Sequence, residues 1–282
     1  MTILDGKQTA LRISEKLKEE IQGYIKSGKR APRIDIILVG NDYASKMYVD
    51  MKYKKALDLG IEVNVHTYDE NVQEDELIQL INDLNKDTNI DGVMVQLPLS
   101  KHINESNVLE KISPLKDVDG LTSINLGKLF KNDSTAIAPA TAKGILELLK
   151  EYNIDIDGKT AVVIGRSDIV GLPTAALLQN ENATVTVCHS HTQNLKEITK
   201  QADILIVGIG KPEYIDLEYI KEGSVVIDVG TNKKEEGKLV GDVNFENVKD
   251  LVSYITPVPG GVGPMTIACL FSNLIEVYRK NV

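Results

Sequence analysis

Five groups of residues in this 282-residue chain are of types, and at spacings, that can do chemistry. Tyr48 and Lys52 stand four apart, which puts them on one face of a helix. A lysine amine becomes a base near neutrality once its pKa is lowered, and a tyrosine ring offers a stacking surface. Gln96 closes an apolar run over 92–97, and Asp117-Val118-Asp119-Gly120 is a polar loop soon after. Gly165-Arg166-Ser167-Asp168-Ile169-Val170-Gly171 is a glycine loop, and Thr256 to Thr266 packs three prolines and three glycines into eleven residues. Each also has a plain reading: an amphipathic surface helix, strand-end turns, a glycine turn without a ligand, and a linker.

The glycine loop has the spacing of G-x-G-x-x-G/A plus one residue, with Ser167 at the second glycine and Gly171 displaced by one. Such a loop between strand and helix turns backbone N–H groups and a helix N-terminus toward a pyrophosphate. About twenty residues on, NAD-preferring folds carry an Asp or Glu for the ribose; here stand His189, Ser190 and His191,. No carboxylate repels a 2′-phosphate there and Arg166 is available to pair with it, which favours NADP over NAD. The proline–glycine loop implies a stiff turn with a cis proline. A Tyr-x-x-x-Lys pair also serves short-chain dehydrogenases, but there it follows the nucleotide loop, whereas here it precedes it by more than a hundred residues.

The elements that must position these groups fall into two series. Strands are expected at 33–39, 61–68 and 92–97, with helices at 9–26, 44–59 and 74–86; the last carries Leu77, Leu80, Ile81 and Leu84 at helical spacing,. A looser stretch over 113–141 leads to a connecting helix at 142–152. A second series follows, with strands at 161–164, 184–188, 204–207, 225–229 and 253–256 and helices at 172–178, 195–201 and 217–221. A last helix covers 265–280. Two strand–helix successions imply an α/β protein of two domains with parallel sheets and right-handed crossovers.

Composition narrows the function classes. Lys and Arg number 32 against 41 Asp and Glu, a net charge of −9, which argues against a nucleic-acid binder,. With 42% hydrophobic residues the chain can build cores, and no apolar run approaches a membrane span,. Asp5, Lys7 and Arg12 stand where an export signal needs apolar residues, so a cytoplasmic protein is expected. Two cysteines, Cys188 and Cys269, make no disulfide framework, and no Cys/His spacing suggests a metal,.

Together the segments resemble, over nearly the whole chain, the bifunctional methylenetetrahydrofolate dehydrogenase/methenyltetrahydrofolate cyclohydrolase family. The resemblance is carried by Leu4-Asp5-Gly6-Lys7, the stretch from Ser45 to Lys52, Val95-Gln96-Leu97-Pro98-Leu99 and Lys116-Asp117-Val118-Asp119-Gly120. In the second half it rests on the glycine loop, Val226-Ile227-Asp228-Val229-Gly230, Gly241-Asp242-Val243 and the proline–glycine loop. It implies an N-terminal αβα folate-binding domain at 1–138, joined by a C-terminal helix at 262–282 that returns to it, and a Rossmann-like NADP-binding domain at 139–261. The active cleft is expected between the domains, usually in a cytoplasmic homodimer.

The resemblance also implies roles. Lys52 activates water in the hydrolysis, Gln96 orients that lysine, Tyr48 stacks on the folate and Asp119 holds the pterin edge. Pro257, Pro259 and Gly260 complete the folate contacts, while Gly165, Arg166, Ser167, Ser190 and Thr231 line NADP. The chain departs from the family pattern at Ala140, Ala142, Ser100, Asp168, Leu172, His191 and Thr231. Two alternatives stay open: a dehydrogenase with little hydrolase activity, and a silent folate- or nucleotide-binding protein.

Overall fold

The structure is a computed structural model that describes residues 1–234 and 237–282. The chain divides into two compact units. One comprises Met1–Leu11, Leu129–Ser134 and Pro139–Cys269, the other Arg12–Lys128, Thr135–Ala138 and Leu270–Val282. The helices Gly6–Lys26 and Val262–Asn281 each contribute to both units.

The second unit is built on a three-stranded parallel sheet in the order Glu62–Tyr68, Arg33–Val39, Gly92–Val95. Its central strand is buried along nearly its whole length, as the uninterrupted Ile-Asp-Ile-Ile-Leu-Val sequence requires of a strand covered on both faces,. The helix Glu74–Lys86 turns Leu77 and Ile81, both fully buried, onto the sheet residues Ile37, Val39, Val93 and Val95. Each such side chain contributes about 1.5–3 kcal/mol through burial. The three acidic residues of its first turn sit where the helix dipole favours them,.

The first unit holds a six-stranded, all-parallel sheet. Its order is Thr2–Ile3, Tyr254–Ile255, Val225–Asp228, Ile204–Val207, Thr160–Ile164, Thr184–Cys188. From Thr160–Ile164 the chain goes to one neighbouring strand and then crosses to the other. Open sheets of this kind take ligands outside the strands' carboxyl ends at such a reversal of strand order.

The expected strands and long helices recur, several with unchanged ends and the rest with ends moved by one to three residues. The expected helix at 217–221 is a short 3-10 turn, Leu217–Tyr219. Thr2–Ile3 was not expected as a strand, since two residues carry no periodicity; pairing with Tyr254–Ile255 makes it one and brings the first eleven residues into the six-stranded unit. The short helix Ser123–Phe130 lies in the looser stretch over 113–141, and Glu105–Leu109 and Phe245–Val248 lie where no element was expected.

Candidate active site

Lys52 is carried by the helix Tyr43–Leu59. That helix starts where the Asp42 carboxylate accepts hydrogen bonds from the Ser45 N–H at 2.8 Å and the Ser45 hydroxyl at 2.9 Å,. Its buried stripe runs Ser45, Val49, Lys52, Ala56, Leu59, in steps of four and three, so the lysine stands on the core-facing side while Lys54 is exposed. The surface-helix reading therefore fails at this residue. Lys52 is only 7% exposed, and its Nζ donates to Gln96 Oε1 at 2.9 Å and lies 3.5 Å from Met94 Sδ.

Burial pushes the Lys52 amine below its ordinary pKa, and the charge of Asp119 opposes this only in part. An ammonium without a paired carboxylate costs several kcal/mol in such a place. The amine is thus held toward its neutral, proton-accepting form. Gln96 follows directly on the strand Gly92–Val95 and its N–H donates to Ile37 O at 2.9 Å. Its Nε2 donates to Leu97 O at 2.8 Å, which leaves Oε1 for the lysine.

Asp119 reaches this group because its segment runs beside the same strand, with the Val93 N–H donating to Lys116 O at 2.8 Å. Asp117, fully buried, accepts from the N–H groups of Gly120, Leu121 and Thr122 and from Asn125 Nδ2. Of the two aspartates in the polar loop, then, one builds the turn and the other stands outside its hydrogen bonds. Asp119 is half-buried and accepts no hydrogen bond from a described residue. Burial chiefly, and then Asp117, raise its pKa, while Lys52 opposes them. Asn273, on the last helix, donates from Nδ2 to Val118 O and Ala138 O at 2.9 Å each and so fixes the backbone next to Asp119. Tyr48, one turn before Lys52, is half-buried and its hydroxyl makes no hydrogen bond to a described residue.

In the six-stranded unit the glycine loop leaves the strand Thr160–Ile164 and enters the helix Gly171–Asn180. Gly165 has φ +125°, and a Cβ there would lie 2.4 Å from Gly208 O; a Cβ on Gly171 would lie 2.2 Å from Gly165 O. Only glycines let these backbones approach each other. Ser167 Oγ accepts from the Val170 N–H at 3.2 Å, so that hydroxyl shapes the turn. Arg166 is exposed and makes neither an ion pair nor a hydrogen bond with a described residue. Ser190 follows the neighbouring strand, in which Cys188 is paired with Ile164, and Thr231 follows Val225–Asp228; both are exposed.

The loop with Pro257, Pro259 and Gly260 follows the strand Tyr254–Ile255. Its Val258–Pro259 bond is cis, as the sequence implied, and Leu97–Pro98 is a second cis bond that it did not. The Lys7 N–H donates to Gly260 O at 3.0 Å, which ties the Leu4–Lys7 motif to this loop. Sequence reading missed Asp117, Asn273 and Asp42 as supports. For Asp117 the signal was present in the D-x-D-G pattern; for Asn273 only its polarity inside an apolar helix stripe pointed to it. Among the described residues no cluster fit for a metal ion occurs, and no helix is long and apolar enough to cross a membrane.

Comparison with known proteins bears on both halves of the chain. The tetrahydrofolate dehydrogenase/cyclohydrolase catalytic-domain model matches residues 4–119, and the NAD(P)-binding-domain model of the same family matches residues 139–282. Bifunctional protein FolD of Ligilactobacillus salivarius is 54% identical over 281 residues, covering 100% of this chain and 98% of that protein. The crystal structure of the bifunctional enzyme FolD, methylenetetrahydrofolate dehydrogenase/cyclohydrolase, from Campylobacter jejuni superposes with a TM-score of 0.98 at 46% identity over 100% of both chains. That of Trypanosoma brucei N5,N10-methylenetetrahydrofolate dehydrogenase-cyclohydrolase, complexed with NADP and an inhibitor, gives 0.94 at 38% identity over 99% of this chain and 98% of that one. Two models in the expected order, and identity near one half along the whole length, leave one conclusion: the chain belongs to the tetrahydrofolate dehydrogenase/cyclohydrolase family.

Proposed function

We propose that this protein oxidises 5,10-methylenetetrahydrofolate to the 5,10-methenyl cation with NADP and hydrolyses that cation to 10-formyltetrahydrofolate, with Lys52 as the general base of the hydrolysis. The observation that carries the reading is the buried Lys52 amine, hydrogen-bonded to Gln96 and lacking a carboxylate partner within salt-bridge distance among the described residues. A silent binding protein has no use for so costly a group.

The backbone cradle at Gly165 and Gly171 and the unpartnered Arg166 fit a dinucleotide carrying a 2′-phosphate,. When bound, NADP supplies the acceptor for the hydride that leaves the methylene carbon. The nitrogens flanking that carbon stabilise the resulting cation, so the chain's task in oxidation is alignment. Tyr48 stacks on the folate ring system, and Asp119 accepts N–H groups of the pterin, which gives its unsatisfied carboxylate the partners it lacks. Pro257, Pro259 and Gly260 shape the remaining folate contact, and Ser167, Ser190 and Thr231 line the nucleotide with the glycine loop.

In the hydrolysis a water adds to the methenyl carbon and its proton passes to Lys52 Nζ. The added hydroxyl then loses its remaining proton to solvent and becomes the formyl oxygen as the C–N5 bond breaks, and the lysine returns its proton to N5, leaving the formyl group on N10. Gln96 Oε1 accepts from Nζ throughout, so the amine keeps its direction in either protonation state. In functional terms, residues 1–138 with 262–282 serve folate and 139–261 serve NADP. The family resemblance carries with it a homodimer and a cytoplasmic setting, which light scattering and cell fractionation test. One coupled assay tests the activity: methenyl absorbance should appear with NADP, more slowly with NAD, and added methenyltetrahydrofolate should decay faster with protein and no nucleotide. Absence of nucleotide reduction removes the oxidation; absence of protein-dependent decay removes the hydrolysis.

A further inference from the structure

Three neighbouring strands of the large sheet, Ile204–Val207, Val225–Asp228 and Tyr254–Ile255, end at the same edge, and two buried carboxylates tie together the segments that follow them. Asp242, fully buried, accepts at Oδ2 from the Ile209 N–H at 2.6 Å and the Gly210 N–H at 3.0 Å. At Oδ1 it accepts from the Lys211 N–H and from Asn232 Nδ2, both at 2.8 Å. Asp228 accepts at Oδ1 from the N–H groups of Gly230 and Asp242 and at Oδ2 from that of Val243, each at 2.9 Å. Its own N–H donates to Thr256 Oγ1 at 2.7 Å.

Neither carboxylate has a cation within salt-bridge distance among the described residues; backbone N–H groups take that place. A carboxylate that collects three or four N–H donors is held rigidly and holds the donors in turn. The approach is close enough that a Cβ on Gly241 would lie 1.8 Å from Asp228 Oδ2. The donors do not belong to the sheet itself. Ile209, Gly210 and Lys211 follow Gly208, whose carbonyl adjoins Gly165 of the nucleotide loop. Gly230 and Asn232 bracket Thr231, one bonded to each carboxylate. Thr256 opens the turn that leads to Pro257.

We propose that Asp242 and Asp228 are positioning residues for the dinucleotide: a carboxylate pair that locks the 208–211 loop, the Thr231 turn and the Thr256–Pro257 turn into one arrangement at the strand ends. Neither touches a reacting atom. The proposal rests on the reading above that NADP binds at these strand ends. Burial lifts the Asp228 pKa to about 6 against its three N–H donors, which still leaves that carboxylate mostly ionised at neutral pH.

The test compares the intact wild-type enzyme with Asp242→Asn, which keeps the shape and turns one acceptor into a donor. The KM for NADP should rise about tenfold or more, the energy of one or two such hydrogen bonds. The kcat of oxidation should stay within about threefold and methenyl hydrolysis without nucleotide within about twofold. Asn232→Ala removes one donor and leaves the carboxylate, so it should raise the same KM by roughly threefold and carries the test if Asp242→Asn does not fold. An unchanged KM for NADP in the variants that fold, or hydrolysis and oxidation falling in parallel, overturns the proposal. A wild-type protein that reduces no NADP overturns the functional reading and this proposal with it, whereas normal wild-type activity beside unaffected variants overturns this proposal alone.

Discussion

The lysine group and the nucleotide loop solve opposite problems. In the three-stranded unit the proposed base, Lys52, is buried, and its neighbours are held in turn: Gln96 is oriented by Leu97 O, the Asp119 segment is pinned by Asp117 and Asn273, and Asp42 caps the lysine helix. In the six-stranded unit the candidate side chains Arg166, Ser190 and Thr231 are exposed, and it is backbone that is packed tightly beneath them. A base must have its pKa shifted by its surroundings, so its surroundings are fixed in advance. A charged phosphate needs donors that face solvent until it arrives, and a backbone close enough to meet it.

Breaking the first arrangement should have the largest effect. Lys52→Ala should slow methenyl hydrolysis roughly 10²–10⁴-fold, the range of general-base catalysis, with nucleotide affinity unchanged. Hydrolysis at the wild-type rate would remove the lysine from the mechanism. Asn273→Ala leaves the Val118 and Ala138 carbonyls without their buried donor and should cost about 2–3 kcal/mol in urea unfolding,. A change within error would show that water replaces the amide.

The second arrangement is sharpened by Arg166→Ala, which should weaken NADP about tenfold and NAD by less than about twofold, read by nucleotide titration. Equal loss for both detaches the arginine from the 2′-phosphate. The smallest effect concerns pH. Hydrolysis should rise as Lys52 loses its proton, with a midpoint below that of a free lysine because burial lowers its pKa. Asp119 favours the ammonium, so Asp119→Asn should move this rising limb to lower pH, by less than about one unit, in a rate-against-pH profile at saturating substrate. A limb that moves upward contradicts the assigned electrostatics.

Much of the molecule is legible in the residues because it rests on local rules. The strand Arg33–Val39 and the helix Glu74–Lys86 end where their periodicity ends. The strand–loop–helix around Gly165 follows from glycines flanking an apolar run, and the Tyr48–Lys52 pairing follows from helical spacing. Family resemblance then attached roles to Lys52, Gln96 and Asp119 that spacing does not state. What stayed hidden is long-range or very short. Thr2–Ile3 is a strand only because Tyr254–Ile255 lies beside it. Asp117 and Asp119 are the same residue type two apart, and their difference lies in which carboxylate the Gly120–Thr122 N–H groups face.

The sequence by itself determined the two α/β successions, the family, and the presence of an amine, an amide and a carboxylate in suitable order, because periodicity, turn chemistry and motif spacing are properties of neighbours along the chain. Tertiary structure alone decided that the lysine is buried without a counter-charge, that Gln96 accepts its hydrogen bond, and that Asp228 and Asp242 gather the loops at the strand ends. Desolvation and hydrogen-bond partnership depend on groups 14 to more than 100 residues away, and those meet only when the chain has folded.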